Sequence, residues 1–218
     1  NTDASASIPL AAELRAAFPD DLKYVVPSLG IGQHKLQLDD REFLQQGNFM
    51  GAEAPELLTL DMLKGTRAGL ANPNSIFLSE SLARKLLAGA EPMDKIIKID
   101  NNLSVKVTGI YKDLPDNSSF RDLTFIAPFN LWLSSQKDSM LRYDWNSEFI
   151  GIYVQKTPNA GFQSISSKIK NITQRHINGE KALEKATLFL HPMNQWHLYS
   201  KFEDGVMVTS EQLRFVWF

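Results

Sequence analysis

The 218-residue chain is predicted to fold as a mixed α+β domain, with strands clustered centrally and helices at the flanks. Three patterns carry this reading. Leu103, Val105 and Val107 alternate with Ser104, Lys106 and Thr108 just after the turn formers Asp100-Asn101-Asn102, the period of a half-buried hairpin strand. Ser79 stands ahead of Leu82, Ala83, Leu86 and Leu87, the spacing of a capped amphipathic helix. Phe162, Ile165, Ile169, Ile172 and His176 form a helical stripe between two apolar runs, Phe149–Val154 and Thr187–Leu190. That strand–helix–strand order suits a right-handed parallel crossover.

Taken in order, Ser7 and Pro9 open a short helix whose Leu10, Leu14, Ala17 and Phe18 recur at helical spacing, and Pro19 closes it. Tyr24–Leu29 reads as a strand ended by Gly30 and Gly32, and Lys35–Leu38 as an alternating stretch that turns at Asp39-Asp40. Leu58, Leu60 and Met62 share one face of a further strand-like stretch, broken by Gly65 and Gly69. Gly89 fits the left-handed residue past the end of the Ser79 helix. Ile96, Ile97 and Ile99 lead into the Asp100 turn, Asp113–Ser119 is turn chemistry throughout, and Leu123–Ala127 is a strand stopped by Pro128. No internal repeat or long linker is visible.

Composition narrows the function classes. The chain is 43% hydrophobic and 22% charged, with 23 basic and 25 acidic residues interspersed, so no basic stripe invites nucleic acid. The absence of cysteine removes disulfide scaffolds and thiol catalysis. No apolar run approaches the roughly 20 residues that span a bilayer, and no signal peptide opens the chain. Both ends nevertheless look cut from a longer polypeptide. The closing Phe215-Val216-Trp217-Phe218, after Arg214, suits a membrane interface and equally an ordinary strand or helix.

Sites of bond chemistry are poorly represented. There is no phosphate-binding G-x-x-x-x-G-K-[ST] loop, no G-x-S-x-G elbow and no H-E-x-x-H helix. His191 and His197 could hold a metal with Glu203 or Asp204, but their spacing matches no standard ligand pattern, and they read better as turn and edge residues around Pro192 and Trp196. Asp113, Asp116 and Asn117 lack the glycine and terminal glutamate of a calcium loop. No cofactor, metal site or catalytic residue is expected.

One long constellation is informative. Pro73-Asn74-Ser75-Ile76-Phe77-Leu78-Ser79-Glu80-Ser81-Leu82-Ala83-Arg84-Lys85 is followed by Glu91-Pro92-Met93-Asp94-Lys95, then by Val107-Thr108-Gly109-Ile110-Tyr111-Lys112-Asp113-Leu114-Pro115-Asp116-Asn117-Ser118. Leu60-Asp61-Met62-Leu63-Lys64-Gly65 lies upstream, and Leu190-His191-Pro192-Met193-Asn194-Gln195-Trp196-His197-Leu198-Tyr199-Ser200 downstream. In this order the runs resemble the periplasmic core domain of MacB-like, FtsX-type ABC transporter permeases, with its "P-x-S-I-V-L-S-E-x-x-A-x-K-x-F-G", "D-P-I-G-K" and "V-x-G-V-x-K-D-x-P-x-N-S" segments. Two departures, Leu87-Ala88-Gly89 for the usual aromatic-Gly and Asp94 for the glycine of "P-I-G-K", suggest a locally different turn.

The resemblance implies a two-lobed α+β architecture. A porter-like α/β lobe would be built from residues 1–48 and 147–218, and an inserted β-rich, Sabre-like lobe from 49–146. It implies flanking transmembrane helices in an inner-membrane protein, this domain in the periplasm, an ABC ATPase driving the membrane region, and a second permease copy. A periplasmic adaptor or lipoprotein is a further implied partner. The work would be mechanical coupling rather than catalysis, with export, lipoprotein release or activation of an outside partner as its outcome. Asp113, Pro115, Asp116, Asn117 and Ser118 form the expected partner-facing loop. His191, Trp196, His197, Tyr199 and Phe202 mark the expected coupling segment toward the membrane. A ligand-sensing receptor ectodomain, which needs an enclosed pocket, and a periplasmic hydrolase are the other classes weighed. With its mixed charge, the isolated domain is expected to be monomeric or weakly dimeric.

Overall fold

A computed structural model describes residues 4–87, 89–177 and 187–196, together with the backbone of 202–203 and 206–207. The mixed α+β composition is as the patterns predict. Ten strands form one sheet: β1 (Ala6–Ser7), β2 (Leu22–Ser28), β3 (Gly32–Leu38), β4 (Arg41–Met50), β5 (Met62–Gly65), β6 (Ser75–Ser79), β7 (Ile96–Ile99), β8 (Leu103–Tyr111), β9 (Phe125–Pro128) and β10 (Glu148–Lys156). The helices are α1 (Ile8–Ala17), α2 (Ala54–Leu57), α3 (Glu80–Leu87), α4 (Phe129–Ser135) and α5 (Phe162–Ile169). Phe202–Glu203 (β11) pairs separately with Val206–Met207 (β12).

The sheet order β1-β10-β2-β4-β3-β7-β8-β6-β9 returns on itself, because β9 also pairs with β4. Strands β4, β3, β7, β8, β6 and β9 therefore close into a six-stranded barrel. Its filling comes from alternate residues, as the two-residue period of a strand requires: Leu36 and Leu38, Ile76 and Leu78, Ile97 and Ile99, Val105 and Val107, Phe125 and Ala127, with Phe49. Leu82, Ala83, Leu86 and Leu87 of α3 join the same core, and Arg41 of β4 donates to the Leu86 carbonyl at 2.9 Å, so α3 plugs the barrel. Phe77, Ile126, Tyr111 and Met50 point the other way, into a second core with Val26, Ala54, Leu60, Leu70, Phe120 and Leu123. A third core packs α1 and α5 on β2, through Leu10, Leu14, Val25, Ile165, Ile169 and Ile172. β2 runs between β10 and β4, so one long bent strand pair ties the α1/α5 layer to the barrel. The expected boundary between residues 48 and 49 falls inside β4.

The hallmark residues build this frame. Ser79 Oγ accepts from Leu82 N–H at 3.3 Å, and Asp113 Oδ1 accepts from Ser81 N–H at 3.1 Å. Two of the orphan donors of α3 are thereby satisfied, one from within the chain turn and one from across the β8 exit. Partial burial pushes the Asp113 carboxyl up. The Ser81 N–H, the Ser81 and Ser79 hydroxyls and the Arg84 charge outweigh it and hold the pKa below the usual carboxylate value. Gly109 lies where a Cβ would come within 2.7 Å of Phe77 and 2.8 Å of Met62, at the register shift between β6 and β8. Gly89 takes φ +92°, as a helix C-terminal glycine should. Asp94 takes φ +64°, the left-handed conformation that glycine adopts without cost, so its replacement of glycine leaves a glycine-type turn in place.

Three expectations are corrected, and one strand has no counterpart among them. Leu58 and Leu60 do not lie on a strand: Ala54–Leu57 is helical, Leu60 N–H bonds the Pro55 carbonyl, and Thr59 is left-handed at φ +51°. Strand β4 is the one without a counterpart; its first half alternates between exposed Glu42, Leu44 and Gln46 and half-buried Phe43 and Gln45, and its last four residues are buried on both faces. Helix α5 stops at Ile169 rather than continuing to His176, since the Lys170 carbonyl accepts from Leu188 N–H instead of from the next helical turn. Thr187–Leu190 forms no strand, so the parallel crossover is not made. Leu190 N–H goes to Ser166 Oγ at 3.1 Å, and Leu188 and Leu190 pack on the α1/α5 core.

Two outcomes follow. A Cβ on Gly47 would fall 2.1–2.3 Å from the ring of buried Phe125, so Gly47→Ala should destabilise the domain by about 1–3 kcal/mol. Gly151→Ala, whose nearest contact is 3.8 Å, should stay within about 0.5 kcal/mol in the same denaturation series. Asp113→Ala should cost about 1 kcal/mol at neutral pH, the scale of a lost helix cap. Because the folded carboxyl titrates lower than the unfolded one, its contribution is complete above the unfolded pKa and vanishes as pH falls through the folded value. The gap between wild type and variant, measured by urea titration, should therefore close in acid.

Candidate functional site

The loop expected to face a partner leaves β8 at Tyr111 and returns at β9. Pro115, Asp116 and Asn117 are exposed at its tip, and Ser118 is half-buried. The tip is a tight turn: Ser118 N–H bonds the Pro115 carbonyl, Ser118 Oγ accepts from Phe120 N–H at 3.1 Å, and Arg121 N–H bonds the Ser118 carbonyl. Asp113, although exposed, directs a carboxylate oxygen to the first turn of α3. The loop base is fixed by Tyr111, whose fully buried hydroxyl donates to the Leu123 carbonyl at 2.7 Å. Burial, with the Asp113 charge nearby, pushes the Tyr111 pKa well up, so this donor is permanent at ordinary pH.

Of the expected coupling segment, His191 and Trp196 are described. His197 and Tyr199 lie outside the described residues, and Phe202 contributes backbone pairing to β12. His191 is half-buried, and burial lowers its pKa. Its carbonyl accepts from Trp196 Nε1 at 3.3 Å, which closes the 191–196 turn. Of the metal set considered from the sequence, His197, Asp204 and the side chain of Glu203 lie outside the described residues. Among the described residues no three His, Asp or Glu side chains converge.

These two segments are far apart in sequence and meet at one side chain that the sequence did not single out. Tyr153 of β10 has Phe120 edge-on at 5.5 Å and Trp196 tilted at 5.8 Å. Burial raises the pKa of its hydroxyl, and the neighbouring Ser28 hydroxyl opposes the rise. Ser28 Oγ accepts from Asn48 Nδ2 at 2.8 Å and from Gly30 N–H at 3.1 Å. Ser28 and Asn48 are fully buried at the point where β2 hands over to β3. In the sequence Tyr153 is one aromatic in the Phe149–Val154 run; only the pairing of β10 with β2 turns it toward both segments. Nearby, an open cleft of about 500 Å³ between α1 and the barrel base is lined by Pro27, Leu70, Pro73 and Phe129, with Arg15 and Glu53 paired across it at 3.1 Å.

Comparison with known proteins places this geometry. The family model described as MacB-like periplasmic core domain matches residues 1–172. A solved domain ascribed to a permease protein of Porphyromonas gingivalis superposes with a TM-score of 0.68 at 19% identity, over 85% of this chain and 77% of that one. The periplasmic region of MacB from Actinobacillus actinomycetemcomitans gives 0.62 at 15% identity, over 85% and 77%. The extracellular domain of the noncanonic ABC-type transporter YknZ from Gram-positive bacteria gives 0.58 at 19% identity, over 87% and 91%. No curated protein matches in sequence. With the hallmark residues in one barrel and the family model matched over most of the sequence, the chain belongs to the family of MacB-like periplasmic core domains.

Proposed function

We propose that this domain couples ATP-driven movement of membrane helices to work outside the membrane, as part of an ABC transporter permease, and that it performs no bond chemistry itself. In this reading α1, β2, β10 and α5 form the porter-like lobe. The barrel forms the inserted Sabre-like lobe, entered where β2 hands over to β3 and not at residue 49 as expected from the sequence, because β3 and β4 are barrel strands. An ATPase, a second permease copy and a periplasmic adaptor or lipoprotein complete the assembly at the inner membrane.

The observation that supports this most directly is what the hallmark residues do. Ser79 and Asp113 cap α3, Gly109 seats Phe77, and Tyr111 pins the returning loop. They stiffen a packed barrel instead of converging on a cleft. A barrel that closes its own edges moves as a body, which suits a part that must pass on displacement. The exposed Pro115-Asp116-Asn117 tip is held on that body and serves as the contact for an outside partner.

Charge reversal at the tip, Asp116→Lys, should impair export or partner activation severalfold in the intact transporter, with the melting temperature of this domain unchanged. Full activity in that variant refutes the tip as a contact. A flexible Gly-Ser insert after Gly205 should leave the domain folded and ATP hydrolysis intact yet abolish the exported activity. Export that survives the insert would remove the coupling role of residues 191–218.

A further inference from the structure

The contacts around Tyr153 carry one step more, which rests on the coupling reading and gives it a route. Three separately anchored parts bear on this ring. Phe120 comes from the loop whose tip is Pro115-Asp116-Asn117. The residue is 6% exposed, and its N–H is tied to Ser118 Oγ in the tip itself. Trp196 comes from the segment that follows α5. Its indole N–H is tied to the His191 carbonyl, and the same segment is stitched to α5 through Leu188 N–H to Lys170 and Leu190 N–H to Ser166 Oγ. Ser28 is the third. It belongs to the bent strand that joins the two layers, its hydroxyl accepts from Asn48 and Gly30, and the Tyr153 hydroxyl is its neighbour.

Tyr153 itself cannot yield easily. It sits in mid-strand, opposite Val26 in the β10–β2 register, and β10 is paired with β2 along Gly151–Lys156. A displacement of the tip must move Phe120, because a single residue separates Ser118 from Phe120 and a hydrogen bond spans them. A ring in edge contact at 5.5 Å cannot advance without tilting or shifting its neighbour, since packed interiors have little free volume to absorb the motion. The other ring against Tyr153 is Trp196, tilted at 5.8 Å. We propose that Tyr153 is the mechanical junction of the domain, whose ring transmits movement of the 113–120 loop to the 187–196 segment. In this arrangement the hydroxyl sets the resting position of the ring through Ser28, while the ring face does the transmitting. Phenylalanine should therefore substitute for it and leucine should not.

The test uses the 218-residue chain labelled with 5-fluorotryptophan, whose four tryptophans give four fluorine resonances, that of Trp196 being assigned with Trp196→Phe. Phe120→Leu should move the Trp196 resonance by more than its linewidth. It should leave unmoved the resonance of Trp132, whose ring neighbours are Phe129 and Phe149. Ser118→Ala, which removes only the acceptor of Phe120 N–H, should shift Trp196 in the same direction by a smaller amount. The response to both should persist in Tyr153→Phe and disappear in Tyr153→Leu. A Trp196 resonance indifferent to both loop variants overturns the proposal, as does a response that survives unchanged in Tyr153→Leu. The measurement needs neither membrane nor ATP. A negative result here therefore removes the route through Tyr153 without touching the transporter reading, which the export assays decide.

Discussion

Strand β4 has a neighbour on each edge. Its first seven residues pair with β3 and its last four with β9, and Gly47 belongs to both pairings. That double pairing closes the barrel, and it is possible only because Gly47 has no side chain where the Phe125 ring lies. An open sheet would leave the edges of β4 and β9 as unpaired backbone, and the interior of Leu36, Ile76, Ile97, Val105 and Phe125 would lack its fourth wall. Closure also fixes where Met50 ends, against Ser28, and so fixes the angle at which β2 and β10 leave the barrel. The placement of α1 and α5 on that outer sheet follows from the same contact.

Polar residues do most of the remaining positioning, at places where the backbone changes direction. Ser28, Asn48 and Gly30 meet in a buried hydrogen-bonded group where one strand passes from the outer sheet into the barrel. Ser79 and Asp113 act where β6 becomes α3, and Tyr111 where β8 becomes the returning loop. A turn in a packed interior strands N–H and C=O groups, and Ser28, Ser79, Asp113 and Tyr111 each supply a missing partner to one of them. Surface ion pairs such as Lys64–Glu91 and Arg84–Glu80 have both partners well exposed and add little by comparison.

A frame of this kind explains how a shared architecture survives at 15–19% identity to its solved relatives. Barrel filling asks only for apolar residues at alternate positions, and many sequences meet that demand. Turn and cap positions are chemically narrower, and even there exchange is tolerated when the backbone requirement is met. Asp94, left-handed at φ +64° and paired with Lys106 at 3.1 Å, meets the conformational need of a glycine-type turn with a charged side chain.

The sequence by itself determined the elements whose signal is local. The Ser79-capped helix, the Asp100 hairpin, the first helix and the tight Asp113–Ser119 turn could all be read from spacing and turn chemistry, and the ordered motif run carried the family. What spacing could not carry were the features set by partners distant in the chain. β4 shows no single pattern along its length because its two halves face different surroundings, and Thr187–Leu190, apolar enough for a strand, follows α5 because its N–H groups find Lys170 and Ser166 there. Tyr153 is the clearest case. Nothing in the Phe149–Val154 run distinguishes it, and it acquires its place only when folding brings Phe120, from 33 positions before it, and Trp196, from 43 positions after it, onto one ring. Local periodicity records which face of an element is buried, whereas the identity of what buries it is a property of the closed fold alone.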